Sequence, residues 1–498
     1  MWENFAAGSL ALFSDPFTVA IFVFGVLGGM LFGAIPGVSM LTLAAILLPF
    51  TASLTPAQGV MLFAVIYCTG TYGGAITAIL FNIPGAPENA PTAFDGYPMT
   101  RQGKSGKAVG AAVLCSAIGG VASALVMMAA TEPLANWAIR NIGPPEIFAL
   151  VFFGLAVASS VGGRSIWKGW MSVLLGLIIA TIGQDPVGGI NRYNFGFTDL
   201  AAGIAFVPAI LGFFAVSEIF VQAEKKATGK FDAPKVGMSF PSFLEIWAHR
   251  IAVVRSILVG FFCGILPGIG ATLAAFMGYG EAVRWSRDKE GFGKGKLEGV
   301  ISSETANNAA TGAAMIPLLA LGLPGGALTA MMVAVFQMHD LEPGPLVFYN
   351  SPELIWIVFA AMFYANLSIL FIGLVETKTI LYLLKIPFQF LAPMILLLAS
   401  IGSYIGRGLV LDVIVMFGAG IIGFLLRRSG YSIPGIVLGI ILGKIGEQNF
   451  AQGMQMVHYD LGTYFSRPIC LILIVAGALT LLAGIYKAVN SSRSTASQ

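Results

Sequence analysis

Long apolar stretches that follow one another along almost the whole chain are the feature that most constrains its fold. A helix needs about 20 apolar residues to cross the hydrocarbon core of a bilayer, and the chain offers such stretches repeatedly. Only 10% of its 498 residues are charged, whereas a soluble domain carries about 25%. The chain therefore lacks the charge to cover a globular surface in water. We expect an all-α polytopic membrane protein with about 12–15 transmembrane or re-entrant helical segments.

The apolar segments form two sets, which are separated by a polar stretch that carries several lysines. This division predicts a first membrane repeat at residues 1–222, a cytoplasmic linker at 223–250 and a second membrane repeat at 251–498. Cytoplasmic loops of membrane proteins are rich in Lys and Arg, and one alternation of the spans places nearly all basic loops on that side. It puts the N-terminus in the periplasm and the C-terminus in the cytoplasm. The net charge of +3 gives no reason to expect nucleic acid as a partner.

A broken-helix motif occurs four times, in an order that repeats. Pro36-Gly37 is echoed by Pro267-Gly268, 231 positions later, and Pro84-Gly85 is echoed by Pro324-Gly325, 240 positions later. Pro removes a helix hydrogen bond and Gly weakens a helix, so these steps predict breaks inside membrane segments. The predicted topology places the first motif on the cytoplasmic side and its echo on the outer side. This favours two inverted repeats, a common design of secondary transporters, while a parallel repeat stays open.

A helix that restarts after such a break presents free N–H groups and the positive end of its dipole. Two facing restarts would bind an anion without any buried Arg or Lys. Hydroxyl and amide side chains near the motifs suit carboxylate oxygens. The alternative interpretation is helix kinking and close helix packing through Gly. The residues predicted to bind substrate are Pro36, Gly37, Ser39, Asn82, Pro84, Gly85, Pro267, Gly268, Gly270, Asn307, Asn308, Thr311, Pro324, Gly325 and Gly326.

A coupling cation, either sodium or a proton, would need oxygen groups at membrane depth, where carboxylates are functional candidates by default. The candidates are Glu304, Thr305, Thr71 and Asp95. Two of them keep structural alternatives, Asp95 as a loop cap and Glu304 as a helix-start residue. The sequence shows no paired nucleophile and base, no metal-ligand spacing and no nucleotide-binding motif. We therefore predict no catalytic residues, no resident metal or cofactor, and no enzymatic activity.

At these motifs the sequence resembles the large membrane subunit of the tripartite tricarboxylate transporters, the TctA-type family. In the first half, the likeness rests on residues 33–37 (GAIPG), 47–51 (LLPFT), 72–85 (YGGAITAILFNIPG) and 95–103 (DGYPMTRQG). In the second half, it rests on residues 264–268 (GILPG), 304–312 (ETANNAATG), 321–325 (LGLPG) and 341–345 (LEPGP). Both halves match, so the likeness covers nearly the whole chain.

The resemblance implies a permease subunit of the bacterial inner (plasma) membrane that imports a small organic anion, a tri- or dicarboxylate. It implies a cation gradient rather than ATP as the driving force. The implied partners are a small membrane subunit of the TctB type and a periplasmic solute-binding protein of the TctC type, besides the lipid bilayer. The chain carries Ala75, Ile83, Asn89 and Gly326 where family members often have Ser, Thr, Ser and Ser. Three of these differences remove a hydroxyl near the predicted site without putting another polar group in its place, so citrate is not assumed as the substrate.

A passive anion channel is the alternative function, because broken helices also line selectivity filters. The two differ in one measurable property, since only a transporter accumulates its solute against a gradient. An intramembrane enzyme would need a nucleophile with its base, or a metal cluster, and the sequence offers neither.

Overall fold

The computed structural model describes residues 1–35, 39–161, 166–185, 188–224, 241–266, 270–383 and 388–496. Within these ranges nearly all residues are helical, and the only β-structure is one antiparallel pair, β1 (Gly183–Gln184) with β2 (Asn191–Arg192). Pro36, Gly37, Pro267 and Gly268 lie outside the described residues, as does most of the predicted linker, residues 225–240. The predicted domain boundaries therefore stay predictions.

The described residues of the first half of the chain form ten α-helices. Short 3-10 segments at Leu48–Ser53, Pro87–Asn89 and Thr198–Leu200 and a π-helical turn at Leu211–Val216 connect or extend them. The helices are α1 Trp2–Ser14, α2 Pro16–Ala34, α3 Met40–Leu47, α4 Pro56–Phe81, α5 Ala90–Arg101, α6 Ser105–Asn141, α7 Pro144–Val161, α8 Ile166–Ala180, α9 Phe206–Ile210 and α10 Ser217–Glu224.

The second half of the chain is helical as well. Its helices are α11 Phe243–Ala248, α12 Arg250–Ile265, α13 Gly270–Trp285, α14 Leu297–Leu321, α15 Ala327–Met338, α16 Val347–Asn350, α17 Pro352–Leu383, α18 Phe388–Arg407, α19 Val410–Arg428, α20 Ile433–Met456, α21 Leu461–Ser466 and α22 Pro468–Ala496.

Seven helical stretches of the described chain are long and apolar enough to cross a membrane, and five shorter apolar helices accompany them. This confirms the all-α polytopic membrane fold. Helix α14 has 25 residues but carries Glu304 and several polar side chains, and it is buried along nearly its whole length. Neighbouring helices, not lipid, must therefore cover it. The seven stretches are Pro16–Ala34, Pro56–Phe81, Ser105–Asn141, Phe206–Glu224, Pro352–Gly373, Val410–Arg428 and Pro468–Tyr486.

The two central helices, α4 and α14, end in the same way. A left-handed residue closes each of them, Asn82 with φ 57° and Gly322 with φ 74°. The next residue in each case donates its N–H to a carbonyl six positions back, Ile83 to Thr77 at 3.3 Å and Leu323 to Pro317 at 3.1 Å. Both helices thus end in a left-handed cap residue, and the 240-residue repeat of the sequence corresponds to a repeated backbone geometry. The direction of one repeat relative to the other stays a prediction.

Close helix packing through glycine repeats as well. A Cβ at Gly33 of α2 would collide with the carbonyl oxygen of Gly70 on α4. In the second half, a Cβ at Gly264 of α12 would lie 2.6 Å from the carbonyl oxygen of Ala310 on α14. Only glycine allows helix backbones to approach this closely. Helix α6 in turn packs against α14, and α17 packs against α4, so each half covers the central helix of the other.

Candidate functional site

The carboxylate of Glu304 lies at the centre of a buried polar cluster on α14. Its side chain is 0% exposed. The Thr92 hydroxyl donates to Oε1 at 2.5 Å, the Ser116 hydroxyl donates to Oε2 at 2.9 Å, and Nδ2 of Asn307 donates to Oε1 at 3.3 Å. No Lys or Arg of the described chain forms an ion pair with it. We call these four residues the Glu304 network, in which neutral donors alone surround a carboxylate.

Two asparagines extend the Glu304 network along α14. Nδ2 of Asn308 donates to Oδ1 of Asn307 at 2.8 Å, and Nδ2 of Asn307 also lies 3.3 Å from the backbone carbonyl of Glu88. Thr311 donates to the carbonyl of Asn308 at 2.8 Å, and its hydroxyl lies 3.8 Å from Sγ of Cys68 on α4. Oδ1 of Asn308 is buried without a hydrogen-bond partner. The network therefore has acceptor capacity that no donor of the described chain satisfies.

The starts of α13 and α15 meet beside α4. A Cβ built on Gly326, the residue before α15, would have as its nearest described neighbours the Cα of Gly270 at 3.7 Å and the hydroxyl oxygen of Tyr67 at 3.9 Å. A Cβ on Gly270, the first residue of α13, would lie 3.9 Å from the same hydroxyl. All three residues are buried, yet a Cβ built on either glycine would keep ordinary van der Waals distances to its nearest described neighbours. We call the space between Gly270, Gly326 and Tyr67 the α13–α15 gap.

An acidic side chain lies against the first turn of α13. Glu88, 6% exposed, accepts a long hydrogen bond of 3.4 Å from the Thr272 hydroxyl. Since the Glu88 backbone carbonyl contacts Asn307, the residue links the Glu304 network with the start of α13. An anion bound at that helix start would share the region with a carboxylate, which is favourable only if a cation or proton neutralises one of them.

The equivalent region of the first half is filled. The Gly85 N–H donates to the Gly74 carbonyl at 3.3 Å, and a Cβ on Gly85 would collide with the carbonyl oxygen of Gly33. A Cβ on Gly74 would in turn collide with Oδ1 of Asn89, whose Nδ2 donates to the Thr71 carbonyl at 2.8 Å. Backbone and the Asn89 amide therefore occupy the space beside this break.

Three of the four predicted coupling-ion residues have structural hydrogen bonds. The hydroxyls of Thr305 and Thr71 donate to backbone carbonyls four residues back in their own helices, at 2.7 and 2.8 Å. Asp95 accepts from the backbone N–H groups of Gly295 and Lys296 and from the Tyr279 hydroxyl, each at 2.9 Å. Gly295 and Lys296 belong to the loop that leads into α14, so Asp95 caps that loop, which is the structural alternative given above for this residue. Among the four, Glu304 alone lies in the buried cluster with Asn307.

The remaining predicted residues form the frame of the site. Asn82 closes α4, Ser39 precedes α3 in extended conformation, and Gly325 packs against Ala314 with 3.0 Å from a built Cβ. Pro84 and Pro324 follow the two helix ends.

Sequence reasoning missed Thr92, Ser116 and Tyr67, which contact Glu304 or the α13–α15 gap. The hydroxyls of Ser116 and Tyr67 stand in otherwise apolar runs, and that contrast is the one signal that the sequence offered. Of the described residues, no three His, Cys, Asp or Glu side chains are placed to hold a metal ion.

Comparison with known proteins gives a consistent family. The sequence model of the tripartite tricarboxylate transporter TctA family matches residues 19–438. A protein of Agrobacterium vitis, described as an uncharacterized 52.8 kDa protein in the TAR-I ttuC' 3'region, is 35% identical over 469 residues, which cover 94% of this chain and 93% of the relative. An uncharacterized protein in the TAR-II ttuC' 3'region of the same organism is 33% identical over 234 residues, 47% of this chain and 97% of the relative. No solved structure matches the chain.

Proposed function

We propose, from the premise that the chain belongs to the tripartite tricarboxylate transporter TctA family, that it is the large permease subunit of a binding-protein-dependent importer of an organic carboxylate. The family is one of transporters and not of enzymes, and its members work in tripartite systems with other subunits. The finer assignments are ours: a bacterial inner-membrane location, a TctB-type small subunit, a TctC-type binding protein, and coupling to sodium or protons.

The meeting of two helix starts in the α13–α15 gap is the observation that carries this proposal. The first N–H groups of a helix have no partner within it, and the helix dipole adds partial positive charge at that end. The two helices have 16 and 12 residues. Their starts would attract a carboxylate without a buried cationic side chain, as discontinuous helices do in other secondary transporters.

The Glu304 network supports coupling to a cation. A carboxylate removed from water is costly to keep ionised unless a cation or strong donors compensate it, and the donors around Glu304 are neutral. Sodium prefers oxygen ligands, and Oδ1 of Asn308 offers one that lacks a partner. A proton on Glu304 would serve equally, with Thr92 turning its hydroxyl toward Ser303, 2.9 Å away. We propose that Glu304, helped by Asn307 and Asn308, holds the coupling cation.

The test is uptake of radiolabelled mono-, di- and tricarboxylates by cells that express the chain with its small subunit and binding protein, compared with cells lacking the chain. A sodium ionophore and a proton ionophore are added in parallel. We expect concentrative uptake that collapses with one of the two ionophores, which would identify both the substrate and the ion. Uptake that only equilibrates across the membrane would instead establish the passive channel, and no uptake of any carboxylate would remove the substrate class.

A further inference from the structure

The hydroxyl of Tyr67 lies at ordinary contact distance, 3.9 Å, from a Cβ built on either Gly270 or Gly326. Tyr67 is 4% exposed, and its hydroxyl makes no hydrogen bond to any described residue. A buried tyrosine hydroxyl normally finds a partner. An unpaired one directed at two helix starts is therefore poised to donate to a ligand that arrives there.

Gly326, on one side of the α13–α15 gap, is less tightly packed than many other glycines of the described chain. Many buried glycines of the described chain lie where a methyl group would collide with a neighbour, as Gly33, Gly74 and Gly264 do. At Gly326 a methyl would meet nothing described within 3.7 Å, and the backbone there is extended, with φ −170°. An alanine at this position would therefore fit the backbone and would clash with no described residue. Its methyl would project into the gap, next to the Tyr67 hydroxyl.

We propose that Tyr67 donates its hydroxyl to a carboxylate oxygen of the transported substrate in the α13–α15 gap, and that the missing side chain at Gly326 sets the size of substrate that fits. This inference rests on the proposed function. It adds a substrate-binding residue on α4, in the opposite half of the chain from the two helix starts, and a residue that determines specificity. The ligand class is a carboxylate anion.

The substitution Tyr67→Phe separates this role from a structural one. Loss of a hydroxyl that has no partner among the described residues should leave the melting temperature of the purified complex unchanged, because no hydrogen bond within the described chain is lost. Uptake should fall about tenfold or more, since a hydrogen bond to a charged group is worth about 1.5–3 kcal/mol. The matched control is Tyr72→Phe on the same helix, because the Tyr72 hydroxyl donates to the Gly373 carbonyl at 3.1 Å. Its loss should lower the melting temperature, with uptake following only the amount of folded protein.

The substitution Gly326→Ala tests the size limit. The probes are succinate and citrate, each at saturating binding protein, in cells that express all three subunits. One methyl group in a binding pocket changes discrimination by about 10-fold to 200-fold, so the citrate-to-succinate ratio of maximal uptake rates should fall about tenfold or more. The control is Gly418→Ala, where a built Cβ has no described neighbour within 4 Å. This variant should keep the wild-type ratio.

The outcomes separate the two proposals. If the wild-type complex takes up neither probe nor any other carboxylate, the proposed function fails and this inference fails with it. If wild-type uptake is concentrative but Tyr67→Phe transports like wild type and Gly326→Ala keeps the wild-type ratio, the inference alone is overturned. Reduced uptake by Tyr67→Phe that merely tracks a lower melting temperature would also overturn it, since that result assigns the hydroxyl a structural role.

Discussion

The breaks that follow α4 and α14 have the same backbone design but different surroundings. Gly85 and Gly325 are equivalent at a spacing of 240 residues, and both are tightly packed. The next residues differ, because Ala86 in the first half corresponds to Gly326 in the second. With the 231-residue spacing, Ser39 corresponds in the same way to Gly270. The second half therefore lacks two side chains where the first half has them, and the space that they would fill is the α13–α15 gap.

Each central helix also carries a side chain that contacts the region of the break in the other half, and these two side chains stand at equivalent positions. Tyr67 of α4 and Asn307 of α14 are equivalent at 240 residues. Tyr67 reaches the breaks of the second half with a free hydroxyl, whereas Asn307 reaches the first half and donates to Glu88 and Glu304. The comparison teaches that two similar helix breaks have different surroundings. We call the break after α14, with the α13–α15 gap, the open copy, and the break after α4, with Glu88 and the Glu304 network, the filled copy. Under the proposed function, the open copy binds the anion and the filled copy binds the cation.

The largest effect should come from adding a methyl group to the filled copy. Gly85→Ala would place a Cβ against the Gly33 carbonyl oxygen and 2.6 Å from the Cα of Gly74. Overpacking commonly costs about 1–3 kcal/mol, and here both neighbours are backbone that cannot rotate away, so we expect little folded protein in the membrane. Membrane yield and the melting temperature in detergent measure this. A variant as stable as Gly326→Ala would break the contrast between the two copies.

The membrane class, the repeat and the helix ends could be predicted from the sequence, because they depend on local hydropathy and on Pro, Gly and Asn at particular positions. Glu304, Asn307 and Asn308 stood out as polar residues in an apolar segment. The sequence could not show that Asp95 caps the loop before α14, since its partners Gly295 and Lys296 lie 200 and 201 positions away. The roles of Thr92 and Ser116 were hidden for the same reason, because only the packing of α5 and α6 on α14 brings their hydroxyls to the carboxylate.

Removing the charge from the filled copy should abolish coupling without unfolding the protein. In Glu304→Gln the side chain keeps its shape, and the hydroxyls of Thr92 and Ser116 can rotate to donate or accept. Concentrative uptake should fall to background, because the neutral glutamine side chain can neither attract sodium by charge nor accept the driving proton. Exchange of labelled for unlabelled substrate at equal concentrations should persist. Full concentrative uptake with unchanged ion dependence would remove Glu304 from the coupling mechanism.

Truncating Asn307 should lower the stability of the protein, whereas Tyr67→Phe, at the equivalent position of the first half, should not. Asn307→Ala leaves the Glu88 carbonyl and one oxygen of Glu304 with fewer donors, and an unsatisfied buried group costs about 1–3 kcal/mol. Thermal melting of the purified complex measures the loss. Asn449→Ala serves as the control, since its amide donates only to the Ile445 carbonyl four residues back in a half-buried position. Equal melting temperatures for Asn307→Ala and wild type would mean that the protein tolerates loss of this amide. The difference in packing between the two copies would then matter little for stability.

The smallest effect should come from a substitution of Asp95. It tests whether this carboxylate is structural, in contrast to the carboxylate of Glu304. Asp95→Asn keeps one acceptor oxygen for the N–H groups of Gly295 and Lys296 but loses the negative charge that strengthens these hydrogen bonds. The expected cost is about 0.5–1.5 kcal/mol, visible as a slightly lower melting temperature. The ion dependence of uptake should match wild type, because all three hydrogen-bond partners of Asp95 lie outside the Glu304 network. An altered sodium or pH dependence would return Asp95 to the coupling-ion residues and extend the cation site to the beginning of α14.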